Sequence, residues 1–185
     1  MKDRVQIHGR AEIDSALAAM AEAIYGRGQS PPVLIGIRRG GVPLADRLAD
    51  LLEPKYGQRP TLGVVDINLY RDDWTRARSF PKVGRTEIPL SLDDRRVILV
   101  DDVLYTGRTV RAALEVLNEF GRASSIELAT LVDRGHREMP IAADYASFVV
   151  KTAADEMVEV DFSGDGRGEG VTLIRAATGG PAEAN

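Results

Sequence analysis

The sequence predicts an α/β fold, a mostly parallel sheet flanked by helices. Three observations carry this reading. Short apolar runs of strand length alternate with segments of helical periodicity, the pattern of successive βαβ units. The length, 185 residues, suits one such domain with a substantial core. The composition, 44% hydrophobic and 28% charged, is that of an ordinary globular chain.

Between Glu12 and Tyr25, the residues Ile13, Leu17, Met20, Ala21 and Ile24 fall on one helical face, and Gly26 and Gly28 end the helix. Val33 to Ile37 follows Pro31-Pro32 as an apolar run and reads as a buried strand. Gly40-Gly41 break it, and Leu44 to Leu52 resumes helical spacing. Thr61 to Leu69 reads as a strand. From Tyr70 to Pro89 the chain turns polar, charged and weakly periodic; this predicts a long flexible loop over 71–89, and such loops inside compact domains are often functional. Arg96 to Val100 is a strand, Val110 to Phe120 a helix closed by Gly121, and Ser125 to Val132 another strand. Tyr145 to Val150 and Met157 to Phe162 read as further strands, the second in a small cap. Ala176 to Asn185 is rich in Ala, Gly and Pro and reads as a disordered tail, which leaves residues 1–175 as a single domain.

The chain has no cysteine, which excludes a disulfide scaffold, a thiol nucleophile and a thiolate metal site. His8 and His136 are far apart and match no zinc spacing, so no protein-only metal site is expected. The net charge of −4 means that any anion site is local. No apolar run is long enough to span a membrane, and Met1 to Val5 lacks the apolar stretch of a signal peptide; a cytoplasmic location is expected.

Parallel sheets bind ligands beyond the carboxyl ends of their strands, here after Ile37, Val100 and Val132. The second of these places carries the strongest signal. Val97, Ile98, Leu99 and Val100 end on the carboxylates Asp101 and Asp102, then Val103 and Leu104 lead into Tyr105-Thr106-Gly107-Arg108-Thr109 and a helix. A helix N-terminus offers unpaired N–H groups and partial positive charge to a phosphate. Thr106 and Thr109 add hydroxyls, and Gly107 allows close backbone approach. Adjacent acids can accept hydrogen bonds from vicinal hydroxyls, with a magnesium ion offsetting their charge. The bare pattern serves equally well as a solvated acidic loop followed by a helix cap.

The complete segment Val97 to Thr109 resembles the phosphoribosyl pyrophosphate (PRPP) motif of type I phosphoribosyltransferases. The resemblance implies the type I phosphoribosyltransferase fold, with a small hood and a flexible catalytic loop. It further implies that Asp101 and Asp102 hold the ribose hydroxyls, with Mg2+ bound alongside PRPP, and that Tyr105 to Thr109 cradle the 5-phosphate. Ile35-Gly-Ile-Arg38-Arg39-Gly40-Gly41 is similar to that family's pyrophosphate loop, and the similarity implies a cis peptide at Arg38–Arg39. Taken alone, the same residues make a plain turn with two solvated arginines. Purine-using relatives often carry an acid just before Thr-Gly; Tyr105 stands there in this chain, which weighs against purine chemistry.

Asp66-Ile-Asn-Leu-Tyr-Arg71-Asp72-Asp73, Val100 to Ala112 and Leu131 to Tyr145 resemble the bacterial PyrR family, over about residues 10 to 162. That family implies two roles, uracil phosphoribosyltransferase and uridine-nucleotide-responsive RNA-binding regulator of pyrimidine genes. The implied partners are PRPP, uracil, UMP or UTP and a pyrimidine-operon leader RNA, with assembly as a homo-oligomer. Arg71, Asp72 and Asp73 would open the mobile catalytic loop, which also holds Arg76, Arg78, Lys82 and Arg85. Asp133 and Arg134 would lie on the base side, with a hood from Lys151 to Val160. His136 reads as a base-side group, an RNA contact or a plain surface residue. RNA-binding relatives carry basic residues partly on the first helix, where this chain has Ala18, Ala19 and Glu22 and keeps Arg27 nearby. Arg27, His136 and Arg137 are therefore the candidate RNA contacts. The competing readings are a salvage enzyme with weakened RNA regulation and a PRPP-sensing module without catalysis.

Overall fold

The computed structural model describes residues 3–67, 85–162 and 169–175. In chain order it contains β1 (Asp3–Gly9), α1 (Arg10–Gly26), β2 (Val33–Ile37), α2 (Gly41–Tyr56), β3 (Leu62–Val65), β4 (Arg96–Leu104), α3 (Arg108–Leu117), β5 (Ser125–Asp133), β6 (Tyr145–Val149), β7 (Met157–Asp161) and β8 (Gly170–Arg175). A single 3-10 turn, Asn118–Phe120, extends α3. Five strands form a parallel sheet in the order β3-β2-β4-β5-β6, and β1-β8-β7 form a separate antiparallel sheet.

Side-chain alternation divides the core of the larger sheet. Leu34, Ile98, Val100, Ala129 and Leu131 pack with Ile13, Leu17 and Ile24 of α1 and Leu44, Leu48 and Leu52 of α2. Val33, Ile35, Val97, Leu99 and Leu128 pack with Val110, Ala113 and Leu117 of α3 on the opposite face. The buried residues of α1 are Ile13, Leu17, Met20, Ala21 and Ile24, the five that periodicity selects. Each large aliphatic side chain so buried contributes about 1.5–3 kcal/mol.

At the amino ends of the strands a polar network fastens β4, β5 and β6 together. Arg96 donates to both Glu127 carboxylate oxygens, at 2.8 and 3.0 Å, and to the Tyr145 hydroxyl at 3.1 Å. Burial and the Glu127 carboxylate push the Tyr145 hydroxyl up to about 12, and the Arg96 guanidinium holds Glu127 below the usual carboxylate range.

Several boundaries differ from the sequence reading. The third strand is β3, Leu62–Val65, and the expected Thr61–Leu69 span is shortened because Asp66 and Ile67 leave the ladder; Asn68 and Leu69 lie outside the described residues. Strand β4 continues past Val100 to Leu104, since Asp101, Val103 and Leu104 still pair with Thr130, Val132 and Asp133 of β5. The acids therefore lie within the strand and not at its end. The segment expected as a loop over 71–89 falls outside the described residues up to 84. In its last part, Glu87 exchanges 2.8 Å backbone hydrogen bonds with Val64, an isolated bridge at the outer edge of β3. Two strands went unread, β1 and β8. They sandwich nothing by themselves; β8 pairs with β1 on one side and β7 on the other, so the cap is built from both ends of the described chain.

The tightest packing lies where β2 turns into α2. A Cβ on Gly36 would stand 2.7 Å from Val42 Cα, and one on Gly41 2.1 Å from the Val100 carbonyl oxygen. Backbone atoms cannot yield as a side-chain tip can, so the strand and helix would have to separate. Gly36→Ala is expected to lower unfolding stability by about 1–3 kcal/mol, read as a drop in the urea midpoint at unchanged slope.

Candidate active site

The cleft opens above the carboxyl ends of β2, β4 and β5, between the larger sheet and the cap. A cavity of about 650 Å³ is lined by Asp102 together with Arg4, Gln6, Val158, Glu159, Val160, Asp161 and Thr172. A second, of about 730 Å³, brings Arg39, Gly40 and Pro43 up to the same Asp102, Val160 and Asp161, and to Phe162. Volumes of this order suit a small-molecule ligand. Asp102, Val160 and Asp161 are common to both cavities.

Strand alternation separates the two acids. Asp102 shares the parity of Ile98 and Val100 and faces the cap, whereas Asp101 shares that of Val97 and Leu99 and turns inward. Asp101 is 6% exposed. Burial, and then the Asp102 charge beside it, push its carboxyl well above the usual range. Its Oδ1 accepts a 3.1 Å hydrogen bond from the Asp102 N–H, and Asp102 Oδ1 accepts one of 3.0 Å from Val103 N–H.

The turn after β2 carries Arg38 and Arg39, joined by a cis peptide. The two guanidiniums part company. Arg38 donates to the Arg85 carbonyl at 3.1 Å and lies 3.7 Å from the buried Asp66 carboxylate. Arg39 lines the cleft beside Asp102. A Cβ on Gly40 would sit 2.1 Å from Asp102 Oδ2, so the carboxylate would have to shift to admit one. The sequence reading left the choice between the arginines open, and the fold puts Arg39 at the cavity.

After β4, Tyr105 and Thr106 turn the chain into α3, with Gly107 at its cap in a left-handed conformation, φ 90°. Thr106 Oγ1 accepts from Arg108 N–H at 3.4 Å, and the Thr106 carbonyl accepts from the N–H groups of Glu138 and Met139 at 2.9 and 3.1 Å. The Arg108 side chain meets Glu138 at 2.6 Å. Thr109 stands in the first turn of α3, half-buried. The first N–H groups of a ten-residue helix thus open at the carboxyl end of the central strand.

The segment after β5 wraps this turn. Asp133 ends β5 and accepts from Gly135 N–H at 2.9 Å, closing a tight turn in which Gly135 and His136 both take positive φ, 76° and 58°. Arg134 is thereby driven inward and Arg137 back toward Tyr105. Arg137 donates to the carbonyls of Tyr105 at 2.6 Å, Gly135 at 3.0 Å and Ile141 at 3.0 Å, and pairs with Asp133. Arg134 is buried and bonds Thr152, Ala153 and Glu156. His136 is exposed, with Nε2 2.7 Å from the Thr152 carbonyl and its ring edge-on to Tyr105.

These placements bear on the RNA contacts expected from Arg27, His136 and Arg137, and on Arg134 of the base side. Arg134 is enclosed and Arg137 spends its donors on carbonyls of its own chain, so neither presents a free guanidinium to a phosphate. Arg27 is about half exposed but ion-pairs with Asp144 at 3.1 Å and lies 4.8 Å over the Tyr145 ring, at the end of the sheet away from the cleft. Arg71, Asp72 and Asp73 lie outside the described residues. Among the described residues, no group of three or more His, Cys, Asp or Glu is arranged to hold a metal ion, and no helix is long and apolar enough to cross a membrane. Sequence reasoning missed the cap residues Arg4, Gln6 and Thr172, because β1 and β8 carry no motif and acquire meaning only by pairing across the length of the chain.

The raised Asp101 carboxyl has a measurable consequence. A group whose pKa is higher in the folded than in the unfolded chain favours folding below its unfolded value and loses that contribution as pH rises through the folded value. Asp101→Asn keeps the Oδ1 acceptor and removes the ionisation. The variant is expected to melt above wild type at neutral pH, with the gap closing as the pH falls toward 4 in a series of thermal scans.

Comparison with known proteins agrees with this geometry. The phosphoribosyl transferase domain family matches residues 5–162. A bifunctional protein PyrR of Syntrophobacter fumaroxidans is 48% identical over 159 residues, covering 85% of each chain. One from a Roseiflexus species is 46% identical over 179 residues, covering 95% of this chain and 98% of that one. Among solved structures, a hypoxanthine phosphoribosyl transferase of Trypanosoma cruzi superposes with a TM-score of 0.69 at 19% identity, over 93% of this chain and 91% of that one, a likeness of fold. A carboxylate pair on the central strand, a glycine-opened turn beside it and a helix N-terminus beyond it thus belong to a known architecture, and the chain is a member of the PyrR family of phosphoribosyltransferases.

Proposed function

We propose that the protein transfers the phosphoribosyl group of PRPP to uracil, giving UMP and pyrophosphate, and that it also binds pyrimidine-operon leader RNA under control of uridine nucleotides. The single observation that carries the catalytic half is Asp102, which lines the cleft with Arg39 and Gly40 and lies on the strand that leads into the Thr106–Thr109 turn. Those three features match, in order, the ribose, pyrophosphate and 5-phosphate of one PRPP molecule. Membership of the PyrR family supports uracil as the acceptor and RNA as the partner. Tyr105 supports a pyrimidine, since it leaves no carboxylate at that position to act on a purine.

In this reading the 5-phosphate lies against the N–H groups of Gly107, Arg108 and Thr109 and the hydroxyls of Thr106 and Thr109. Asp102 accepts from the ribose hydroxyls, with Asp101 behind it. Uracil N1 attacks the anomeric carbon as the bond to pyrophosphate breaks. The Arg39 guanidinium and the N–H groups of Gly40 and Gly41 receive the growing charge on the leaving group. Holding both reactants in line does most of the work, and no covalent nucleophile is needed. The donor set fits magnesium carried in with PRPP through one cleft-facing carboxylate, Asp102, which suits a hard cation that takes most of its ligands from substrate oxygens. Bound there, Mg2+ would neutralise pyrophosphate charge.

The RNA half has less support from this chain's own side chains. Arg27 is ion-paired, Arg134 is buried and Arg137 is engaged, and the exposed face of α1 carries Ala18, Ala19 and Glu22. These observations favour, as a second reading, a uracil salvage enzyme with weakened RNA regulation. The protein is read as cytoplasmic and homo-oligomeric by analogy with its family.

Pyrophosphate release from PRPP is expected with uracil and not with hypoxanthine, guanine or adenine; faster turnover of any purine sinks the base assignment. Asp102→Asn is expected to weaken PRPP binding more than Asp101→Asn, and the double variant to lose it while staying folded by circular dichroism. Arg137→Ala, which frees the Tyr105 carbonyl, is expected to raise KM for PRPP about tenfold or more, the scale of losing charge-assisted hydrogen bonds. For RNA, isotherms over a salt series are expected to show a shallow dependence on salt, with Arg27→Ala weakening affinity and sparing turnover. Binding of the leader no tighter than of an unrelated RNA, with or without UMP, leaves the salvage reading alone.

A further inference from the structure

Among the described residues Arg134 is the only buried basic side chain, at 7% exposure. Enclosing a guanidinium is costly unless its charge is met. Its hydrogen-bond acceptors here are all neutral: Thr152 Oγ1 at 3.2 Å, the Ala153 carbonyl at 3.3 Å and the Glu156 carbonyl at 2.6 Å. Beyond these, the Glu156 carboxylate lies within electrostatic reach, and the guanidinium carbon stands 4.0 Å from the Tyr105 ring centroid. An arginine over a ring at that distance is a favourable cation–π pair, stronger where water is excluded. A neutral side chain would fill the space at lower cost, so the position calls for a reach that only arginine has.

The two things Arg134 holds lie on opposite sides of the cleft. Tyr105 immediately precedes Thr106 and the N-terminus of α3, the proposed 5-phosphate site. Ala153 and Glu156 immediately precede β7, whose Val158, Glu159, Val160 and Asp161 form the cap wall facing Asp102. The tight turn at Gly135 and His136 fixes where the guanidinium lies between them. His136 adds a second tie of the same kind, meeting the Tyr105 ring at its edge and the Thr152 carbonyl through Nε2.

We infer that Arg134 is a positioning residue that couples the cap wall to the phosphoribosyl turn, so that filling either subsite favours filling of the other. The inference rests on the phosphoribosyltransferase reading. Arg134 touches neither substrate in this account; it acts through Tyr105 on one side and through the Ala153–Glu156 carbonyls on the other. If one ligand fixes the Tyr105 turn, the ring stays seated on Arg134, and the cap segment is held where the base must bind. Coupling of this kind is reciprocal.

The test uses ligands that cannot react together. Ribose 5-phosphate fills the ribose and 5-phosphate subsites without a leaving group, and uracil fills the base subsite. Calorimetric affinity for uracil is measured on the full chain with and without saturating ribose 5-phosphate, and the reverse titration with and without uracil. In wild type each ligand is expected to tighten the other by about tenfold, within the usual range of coupling between sites. In Arg134→Gln and in Tyr105→Leu that ratio is expected to fall to near one. Tyr105→Phe keeps the ring and is expected to keep the ratio. If Arg134→Gln fails to fold, Tyr105→Leu carries the test, because it leaves the arginine's three acceptors in place. A residue of merely structural importance would lower melting temperature and both affinities while leaving the ratio intact, and that outcome overturns the inference. So does a wild-type ratio of one in a protein that turns over uracil with PRPP. If wild type neither turns over uracil nor binds ribose 5-phosphate, it is the proposed function that fails.

Discussion

Two adjacent carboxylates on the central strand of a sheet set the terms for everything around them. Strand β4 is paired with β2 as far as Val100 and with β5 beyond the acids, which holds Asp101 and Asp102 in extended strand. Alternation sends one inward, where burial and its neighbour's charge raise its pKa, and the other into the cleft. The surroundings accommodate that pair by removing atoms. Gly40 and Gly41 have no side chain because Asp102 and the Val100 carbonyl already occupy the space. The backbone of the turn beside the acids thus comes into close contact with Asp102 and with the Val100 carbonyl.

That arrangement explains which parts of the architecture were legible in the chain. Helix α1 and strand β2 were, since their contacts are repetitive and local. Five apolar residues at helical spacing, or five in a row, leave few other ways to be buried. The carboxylate pair and the two glycine turns were legible as chemistry, because anion binding needs particular residue types at particular spacings. What escaped was structure defined by distant pairing. The extent of β4 beyond Val100 depends on β5, and a carboxylate in a strand carries no mark of its own. The pinning of Glu87 to Val64 depends on an edge that sequence does not display. Strands β1 and β8 have ordinary alternating composition and find each other across almost the whole chain.

Arginines show the other limit. A sequence gives their number and not their employment. Arg27, Arg38, Arg134 and Arg137 all read as available charge, and the fold assigns each to a task within the protein: an ion pair and a ring, a buried acid, a set of cap carbonyls, a turn carbonyl. Arg39 alone of the pyrophosphate-loop pair lines the cleft. The resemblance to RNA-binding relatives therefore has to be weighed against where this chain's guanidiniums point, and the exposed face of α1 offers alanine where an RNA backbone would want charge.

The strand order β1-β8-β7 also says something about the birth of the molecule. β8 is the middle strand of the small sheet, and it is the last of the described strands to be synthesised. Until it emerges from the ribosome, β1 and β7 have no partner within that sheet and the wall opposite Asp102 is missing. The parallel sheet, its helices and both glycine turns can assemble before then, since domains condense progressively as they are made. A nascent chain would thus hold a nearly finished central sheet without a cap above Asp102. The cap closes in one step, when the last of the described strands slides between two older ones.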